Sequence, residues 1–244
     1  MHQFGHTRSA HRRNHLLQTP DTFVRAPLPG MENCTAIVHM GPAGGARFTQ
    51  YTAEFQAGGR LGPYDGQRFI YVLEGELEVY RETLGPGGYA YVFTAGSAPV
   101  FAERAARAVV IEKPYQPHLP GEAAPRTFTG REDAVEGKPF LGDRDLLVRT
   151  LLPDDPSFDC AVNTMTFQPG ATLPMVEIHV MEHGLLMLSG SGIYRLDDCW
   201  YPVAAGDFIW MAPYCPQWFG ALGKTPTKYL IYKDWNRHPL GEIR

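Results

Sequence analysis

Glu177-Ile-His179-Val-Met-Glu-His183 runs directly into Gly184-Leu-Leu-Met-Leu-Ser-Gly190, an apolar stretch that ends on a glycine. Alternate side chains of a β-strand point to the same face, so Glu177 and His179 can converge on one point. His183 can join them from the start of the next strand segment. Gln217, farther along the chain, adds a carboxamide oxygen. Such a donor set suits a divalent ion such as Mn²⁺, Fe²⁺, Ni²⁺ or Zn²⁺, so this stretch predicts a metal site in a β-barrel.

The two halves of the chain repeat one sequence pattern. Phe69-Ile-Tyr-Val-Leu-Glu-Gly75 matches the segment that ends at Gly190, and Val109-Val-Ile-Glu-Lys113 matches Tyr229-Leu-Ile-Tyr-Lys233. The matched segments are about 115 to 120 residues apart, far more than the period of roughly 20–50 residues in a solenoid. The repeat therefore indicates a duplicated domain, in which Lys113 is the expected counterpart of Lys233.

Each half consists of short β-rich segments separated by Gly, Pro and Asp turns, the pattern of an all-β sandwich or barrel. We expect an all-β protein with two similar barrels, at 26–118 and 147–244, joined by a linker at 119–146. The polar residues 1–25 are expected to form an arm over the first barrel or over a neighbouring chain. The histidines of this arm, including His15, are expected to be exposed.

Composition excludes several classes of partner. The 22 Lys plus Arg and 26 Asp plus Glu give a net charge of −4, and no basic run marks a nucleic-acid binder. No apolar run approaches the ~20 residues of a membrane helix, and the N-terminus lacks the apolar core of a secretory signal. The four cysteines are scattered, without a Cys-x-x-Cys pair. We therefore expect a cytoplasmic protein with reduced thiols that binds neither nucleic acid nor membrane.

The metal motif, a second motif at Pro216-Gln-Trp218 and the duplication resemble the bicupin architecture of the cupin superfamily, which implies two jelly-roll barrels. In the order Glu-x-His-x3-His-x6-Gly, the metal-binding residues follow a different sequence from that of the usual cupin motif. This order restricts the resemblance to a smaller group of cupins. Together with Cys199-Trp-Tyr-Pro-Val203 and Gly206-Asp-Phe-Ile-Trp-Met-Ala-Pro213, it is similar to the (S)-ureidoglycine aminohydrolase family. The resemblance implies Mn²⁺-dependent hydrolysis of (S)-ureidoglycine to (S)-ureidoglycolate and ammonia, in the allantoin branch of purine catabolism.

The resemblance also implies site residues. It places one Mn²⁺ per chain in the C-terminal barrel, with the ligands Glu177, His179, His183 and Gln217. The implied substrate contacts are Glu177, Gln217, Tyr194, Tyr229 and Lys233. The first barrel departs from this pattern, because its ligand positions hold Gly62, Tyr64, Arg68 and Pro99. Arg68 could fill that site with its own cation.

Lys233 and Tyr229 are the predicted catalytic residues. Lys233 can pair with a substrate carboxylate or, if burial lowers its pKa, can move protons. Tyr229 lies four residues earlier, which places both side chains on one face of a strand. The residues leave open whether the ion binds the substrate amine, binds its carboxylate or activates water. The resemblance adds a small anionic ureido substrate and a homo-oligomer, as dimers or larger rings.

Two other functions stay open from the residues alone. A bicupin oxygenase of the quercetinase or pirin kind would use the metal for redox chemistry, but such enzymes normally keep three His and one Glu. A non-enzymatic bicupin that only binds a ligand would tolerate loss of both metal sites, whereas here only the first barrel has lost its ligands. Gln217 in the ligand set and the basic Lys233 favour the aminohydrolase.

Overall fold

The computed structural model of the chain describes residues 6–93, 99–117 and 123–234. The described residues form β-strands connected by turns, with short 3₁₀ turns at Pro20–Thr22, Pro42–Gly44 and Glu132–Ala134. This confirms the expected all-β class. None of the helical segments in these ranges has the length and apolar character that a membrane span requires.

The strands are numbered in chain order. The first twelve are β1 Ala10–His11, β2 His15–Gln18, β3 Arg25–Ala26, β4 Glu32–Met40, β5 Thr49–Leu61, β6 Gln67–Glu74, β7 Leu77–Val79, β8 Glu82–Leu84, β9 Gly88–Val92, β10 Val100–Ala102, β11 Ala106–Lys113 and β12 Phe128–Arg131. The remaining strands are β13 Lys138–Phe140, β14 Asp143–Thr150, β15 Ala161–Phe167, β16 His183–Ser189, β17 Ser191–Leu196, β18 Cys199–Ala204, β19 Phe208–Met211, β20 Gln217–Leu222 and β21 Thr227–Lys233.

The chain divides into two compact units. The N-terminal unit comprises Val24–Val135 and Asp155–Phe158, and its described strands β3–β12 form one antiparallel sheet. In this sheet the long strand β5 pairs with β11 through its first half and with β10 through its last residues. One buried cluster fills the unit with small and aliphatic side chains from both ends of β5 and its neighbours. The sheet thus curves around its own core.

The C-terminal unit comprises Met1–Phe23, Glu136–Asp154 and Asp159–Arg244. Its larger sheet has the order β1-β2-β19-β16-β21-β15-β14-β13, and its smaller sheet has the order β18-β17-β20. Buried side chains from both sheets, among them Leu185, Met187, Phe219 and Tyr229, share one core cluster. The two sheets therefore pack face to face, and the inward faces of β16, β20 and β21 line the interior of this unit.

This division differs from the expected boundaries in two places. Strand β2 of the presumed arm pairs with β19, so it extends the sheet of the C-terminal unit. The presumed linker 119–146 contributes β12 to the N-terminal unit and β13 to the C-terminal unit. Exposed sheet edges carry unpaired backbone groups, and both segments satisfy them by adding strands. Residues 1–5, 94–98, 118–122 and 235–244 of the expected segments lie outside the described residues.

The sequence repeat is visible in the backbone at two matched glycines. Gly75 follows β6 with φ of +72°, and Gly190 follows β16 with φ of +74°. A Cβ on Gly75 would lie 2.5 Å from the carbonyl oxygen of Ala105, and one on Gly190 would lie 2.7 Å from Cα of Thr227. Both positions combine a left-handed backbone with a close approach of another segment, and each of these requires glycine.

Gly190→Ala should destabilise the protein more than Gly170→Ala does. Gly170 also has a positive φ, +84°, but a Cβ there meets nothing within 4 Å. We expect about 1 kcal/mol of lost unfolding free energy for Gly170→Ala from backbone strain. For Gly190→Ala we expect about 2–4 kcal/mol, because the overlap with Thr227 adds to that strain. Urea denaturation of both variants tests this, and equal losses would contradict the steric explanation.

Candidate metal centre

Glu177 and Gln217 are joined through their backbones. The Glu177 N–H donates to the Gln217 carbonyl at 2.8 Å, and the Gln217 N–H donates to the Glu177 carbonyl at 2.9 Å. This isolated bridge holds Glu177 beside the first residue of β20, although Glu177 and His179 do not belong to a regular strand. The predicted proximity of Glu177 and Gln217 is therefore present, and a loop segment provides it where a strand was expected.

His183 opens β16 and is 1% exposed. Its Nδ1–H donates to the backbone carbonyl of Glu182 at 2.8 Å, which leaves Nε2 as the free, deprotonated nitrogen. Nε2 is buried and has no hydrogen-bond partner among the described residues. Burial lowers the pKa of the ring well below its usual value, and the charges of Lys233 and His179 act in the same direction. His183 thus presents a neutral imidazole nitrogen to the interior, as a metal ligand must.

His179 brings a second imidazole to the same place. The ring centroids of His179 and His183 are 4.9 Å apart, and the His179 Nε2–H donates to Glu177 Oε2 at 3.1 Å. The side chains of His179 and Glu177 are 32% and 19% exposed, so they stand at the open side of the buried His183. Within the described ranges no three His, Cys, Asp or Glu side chains stand at metal-binding distances. For Glu177, His179 and His183 to bind one ion together, the hydrogen bond between Glu177 and His179 must break, and both side chains must turn to the ion.

Gln217 is buried and held by a tyrosine. The Tyr194 hydroxyl donates to Gln217 Oε1 at 3.2 Å, and burial raises the pKa of this tyrosine far above its usual range. The phenol therefore stays protonated and fixes the side-chain oxygen of Gln217. A carbonyl oxygen has two lone pairs, so Oε1 can still face a cation.

Tyr229 and Lys233 both lie on β21, and the structure places them on its inward face. Lys233 pairs directly across the sheet with His183, and Tyr229 pairs with Met187. Burial lowers the pKa of the Lys233 ammonium, and the nearby Glu177 carboxylate offsets part of this effect. Tyr229 is fully buried, its hydroxyl donates to the Met165 sulfur at 3.2 Å, and burial raises its pKa. A cation and a phenol thus line the same interior as the two imidazoles.

These residues fit a divalent ion by their chemistry. A buried imidazole nitrogen without a partner lies beside a second imidazole, a carboxylate and an amide oxygen. This mixture of nitrogen and oxygen donors suits borderline divalent metals. The His183 Nδ1–H bond to a backbone carbonyl is the usual support that orients a ligating histidine. The candidate site therefore has one ligand already oriented and three others in its vicinity.

The N-terminal unit carries an ion pair at the corresponding positions. Arg68 is buried on β6, its Nε–H donates to Glu112 at 2.7 Å, and its Nη1–H donates to the Gly62 carbonyl at 3.0 Å. Arg68 and Glu112 are directly paired across β6 and β11, as His183 and Lys233 are across β16 and β21. Glu112 is therefore the counterpart of Lys233, and the expectation for Lys113 was wrong by one residue.

Sequence reasoning missed two residues near this site. His15 was expected to be exposed, but it is 1% exposed on β2, and its Nε2 lies 2.9 Å from the Tyr201 hydroxyl. Asn14 lies next to it and hydrogen-bonds to the ring. The apolar pair Leu16 and Leu17, within an otherwise polar N-terminus, was the one available signal of a buried strand.

The chain is similar to known proteins over nearly its whole length. The Cupin domain family matches residues 163–232. A protein of Oryza sativa subsp. japonica named probable (S)-ureidoglycine aminohydrolase is 41% identical, over 97% of this chain and 78% of the relative. The (S)-ureidoglycine aminohydrolase of Arabidopsis thaliana is 40% identical, over 97% of this chain and 80% of the relative.

A solved structure agrees with these sequence matches. Protein Ylba of E. coli has a TM-score of 0.81 and 31% sequence identity, and the match covers 95% of both chains. The shared fold thus includes both units and extends beyond the matched Cupin domain. From the identity to the plant proteins and the extent of the alignment, this chain belongs to the (S)-ureidoglycine aminohydrolase family.

Proposed function

We propose that this chain hydrolyses (S)-ureidoglycine to (S)-ureidoglycolate and ammonia in purine catabolism, with one Mn²⁺ bound in the C-terminal unit. Family membership supports the reaction. The observation that carries the site is the buried, unpartnered Nε2 of His183, next to His179, Glu177 and Gln217. These four residues would hold the ion, and when bound it would supply a Lewis acid beside the substrate.

The reaction exchanges an amine for a hydroxyl on the carbon that carries the ureido group and the carboxylate. Water loses a proton as its oxygen bonds to that carbon, the C–N bond breaks, and the amine leaves as ammonia after gaining a proton. Lys233 is the residue suited to these transfers, because its lowered pKa brings its Nζ closer to exchange at neutral pH. In its charged form the same ammonium attracts the substrate carboxylate.

Tyrosine hydroxyls would orient the substrate. Tyr194 and Tyr229 are buried and remain protonated, so each O–H could turn from its present acceptor, Gln217 Oε1 or the Met165 sulfur, to a substrate oxygen. Tyr194 already holds Gln217, and Tyr229 lies four residues before Lys233 on the same face of β21. Substrate contacts would thus come from Glu177, Gln217, Tyr194, Tyr229 and Lys233. Their carboxylate, amide, phenol and ammonium groups match the polar, anionic ureido substrate.

We further propose that the protein acts as a homo-oligomer, as dimers or larger rings, in the cytoplasm. Large apolar side chains on the C-terminal unit support the first point, because Trp200 is 58% exposed and Tyr214 is 48% exposed. The second point rests on the cysteines, because all four are free thiols, as in a reducing compartment.

The direct test is release of ammonia from freshly prepared (S)-ureidoglycine by chelator-treated protein, with and without added Mn²⁺. We expect release well above the spontaneous rate only after Mn²⁺ is added, because the ligands alone provide no Lewis acid. Zn²⁺ and Ni²⁺ in parallel assays test the choice of metal. Absence of release from protein that has bound Mn²⁺ would contradict the proposal and favour an oxygenase or a ligand-binding bicupin.

His183→Ala should abolish Mn²⁺ binding and lower turnover by at least about a hundredfold, because it removes the pre-oriented ligand. The fold should persist, since the variant also removes an unpartnered polar atom from the interior. His11→Ala is the matched control, because His11 is exposed on β1. Bound metal, ammonia release and the melting temperature are measured for both. Full metal content and full activity in His183→Ala would refute the site assignment.

Lys233→Met should retain Mn²⁺ and lose turnover by about 10²–10⁴-fold, the usual contribution of a group that transfers protons. Methionine preserves the length and apolar part of the side chain, so packing on β21 is largely kept. Lys224→Met, in the exposed turn before β21, controls for loss of a positive charge. The measurement is kcat with metal content determined on the same samples. Unchanged turnover in Lys233→Met would remove this residue from the mechanism.

A further inference from the structure

The N-terminal strand β2 is part of the wall around the candidate metal centre. It pairs with β19 over all four of its residues, and Leu17 is fully buried in the core shared by the two sheets. His15 pairs with Met211, and Met211 pairs with His183 on the other side. His15 therefore points into the same interior as His183, two strands away from it.

The hydrogen bonds around His15 fix its tautomer. The Asn14 side-chain amide donates to Asp197 Oδ2 at 2.9 Å, so its oxygen faces the His15 ring. The His15 Nδ1–H donates to that oxygen at 2.9 Å, and Nε2 consequently accepts the Tyr201 hydroxyl at 2.9 Å. Burial lowers the pKa of the ring, which agrees with this neutral form. A continuous chain of hydrogen bonds thus runs from Tyr201 through His15 and Asn14 to Asp197.

This chain of hydrogen bonds reaches both ends of the loop 212–216, which connects β19 to β20. At one end, the Ala212 N–H donates to the Asn14 carbonyl at 2.9 Å. At the other end, the Asp197 N–H donates to the Pro216 carbonyl at 2.8 Å, immediately before Gln217. Asn14 thus contacts one end through its backbone and the other through the Asp197 side chain.

The loop in turn holds two of the four proposed ligands. The Tyr214 N–H, in the middle of the loop, donates to the His179 carbonyl at 2.7 Å. The loop ends at Gln217, whose backbone bridges to Glu177. A shift of the loop would therefore move His179 and the end of β20 that carries Gln217, which also pairs with Leu196 on β17. His183 is held separately, in β16 between β19 and β21.

We propose that Asn14 and His15 are positioning residues for the metal centre. They hold the loop 212–216 at the register that places His179 and Gln217 opposite His183. This inference rests on the proposed function, because it assumes that these residues bind the ion. It gives the N-terminal segment a role in the site, in addition to extending the sheet. Residues that orient metal ligands from outside the coordination sphere typically change affinity or activity by 10–100-fold.

The test compares Mn²⁺ affinity in Asn14→Ala, His15→Phe and Arg8→Ala, by titration followed through the EPR signal of free Mn²⁺. Arg8 is the matched control, since it also fastens the N-terminal segment. Its guanidinium binds both carboxylate oxygens of Asp207, at 2.6 and 2.9 Å, and does not contact the loop. We expect a 10- to 100-fold higher Kd for Mn²⁺ in Asn14→Ala and His15→Phe. For Arg8→Ala we expect a lower melting temperature with an unchanged Kd.

The measured affinities distinguish positioning of the ligands from a general loosening of the segment. Parent-like Kd in Asn14→Ala and His15→Phe would overturn the inference, and so would an equal loss of affinity in Arg8→Ala, which would indicate a general loosening of the segment. His15→Gln keeps an acceptor for Tyr201, so recovery of affinity in that variant supports positioning. If His15→Phe does not fold, Asn14→Ala alone decides, because it leaves the core unchanged. Absence of Mn²⁺ binding by the parent protein would instead contradict the proposed function.

Discussion

A buried nitrogen acceptor without a partner sets the chemistry of the C-terminal unit. The Nδ1–H of His183 is committed to the Glu182 carbonyl, so Nε2 must face the interior as an acceptor. Leaving such a group unsatisfied costs about 1–3 kcal/mol, which a fold retains only where something else is gained. The imidazole of His179 lies beside the ring, the Glu177 carboxylate accepts from His179, and Lys233 pairs with His183 across the sheet. Together these groups form a polar interior that suits a cation and an anionic substrate.

The two units carry different pairs of residues at the same interior position of the repeat. In the N-terminal unit Arg68 supplies a permanent cation, and Glu112 and the Gly62 carbonyl accept its hydrogen bonds. This interior is electrically satisfied by its own side chains, which is how a buried charge becomes tolerable. In the C-terminal unit His183 and Lys233 occupy these positions, and Nε2 of His183 has no hydrogen-bond partner among the described residues. After duplication and this exchange of residues, the interior charge of the N-terminal unit is paired within the unit. The C-terminal unit keeps an acceptor nitrogen that an ion can bind.

Local sequence patterns predicted much of this arrangement. The predictions failed where pairing between strands distant in the sequence determines the position of a residue. The repeat predicted Gly75 and Gly190 at equivalent turns, because each needs a positive φ that the sequence marks directly. Lys113 was misaligned because strands alternate faces, so a shift of one residue moved it to the opposite face from Glu112. His15 was missed because a strand of four residues gains its stability from β19, almost two hundred residues away, and has little periodicity of its own.

The order of these segments along the chain has a consequence for how the site forms. His183 and Lys233 are adjacent on paired strands, so their relation is fixed as soon as β16 and β21 associate. His179 lies in an irregular segment, and Gln217 stands where the loop 212–216 meets β20. Irregular segments keep one conformation only when enough contacts determine it. The loop 212–216 receives those contacts from Asn14 and Asp197, which lie far apart in the sequence. Under the proposed positioning role, ligand geometry is therefore complete only when the segment with Asn14 and β2 has docked against β19.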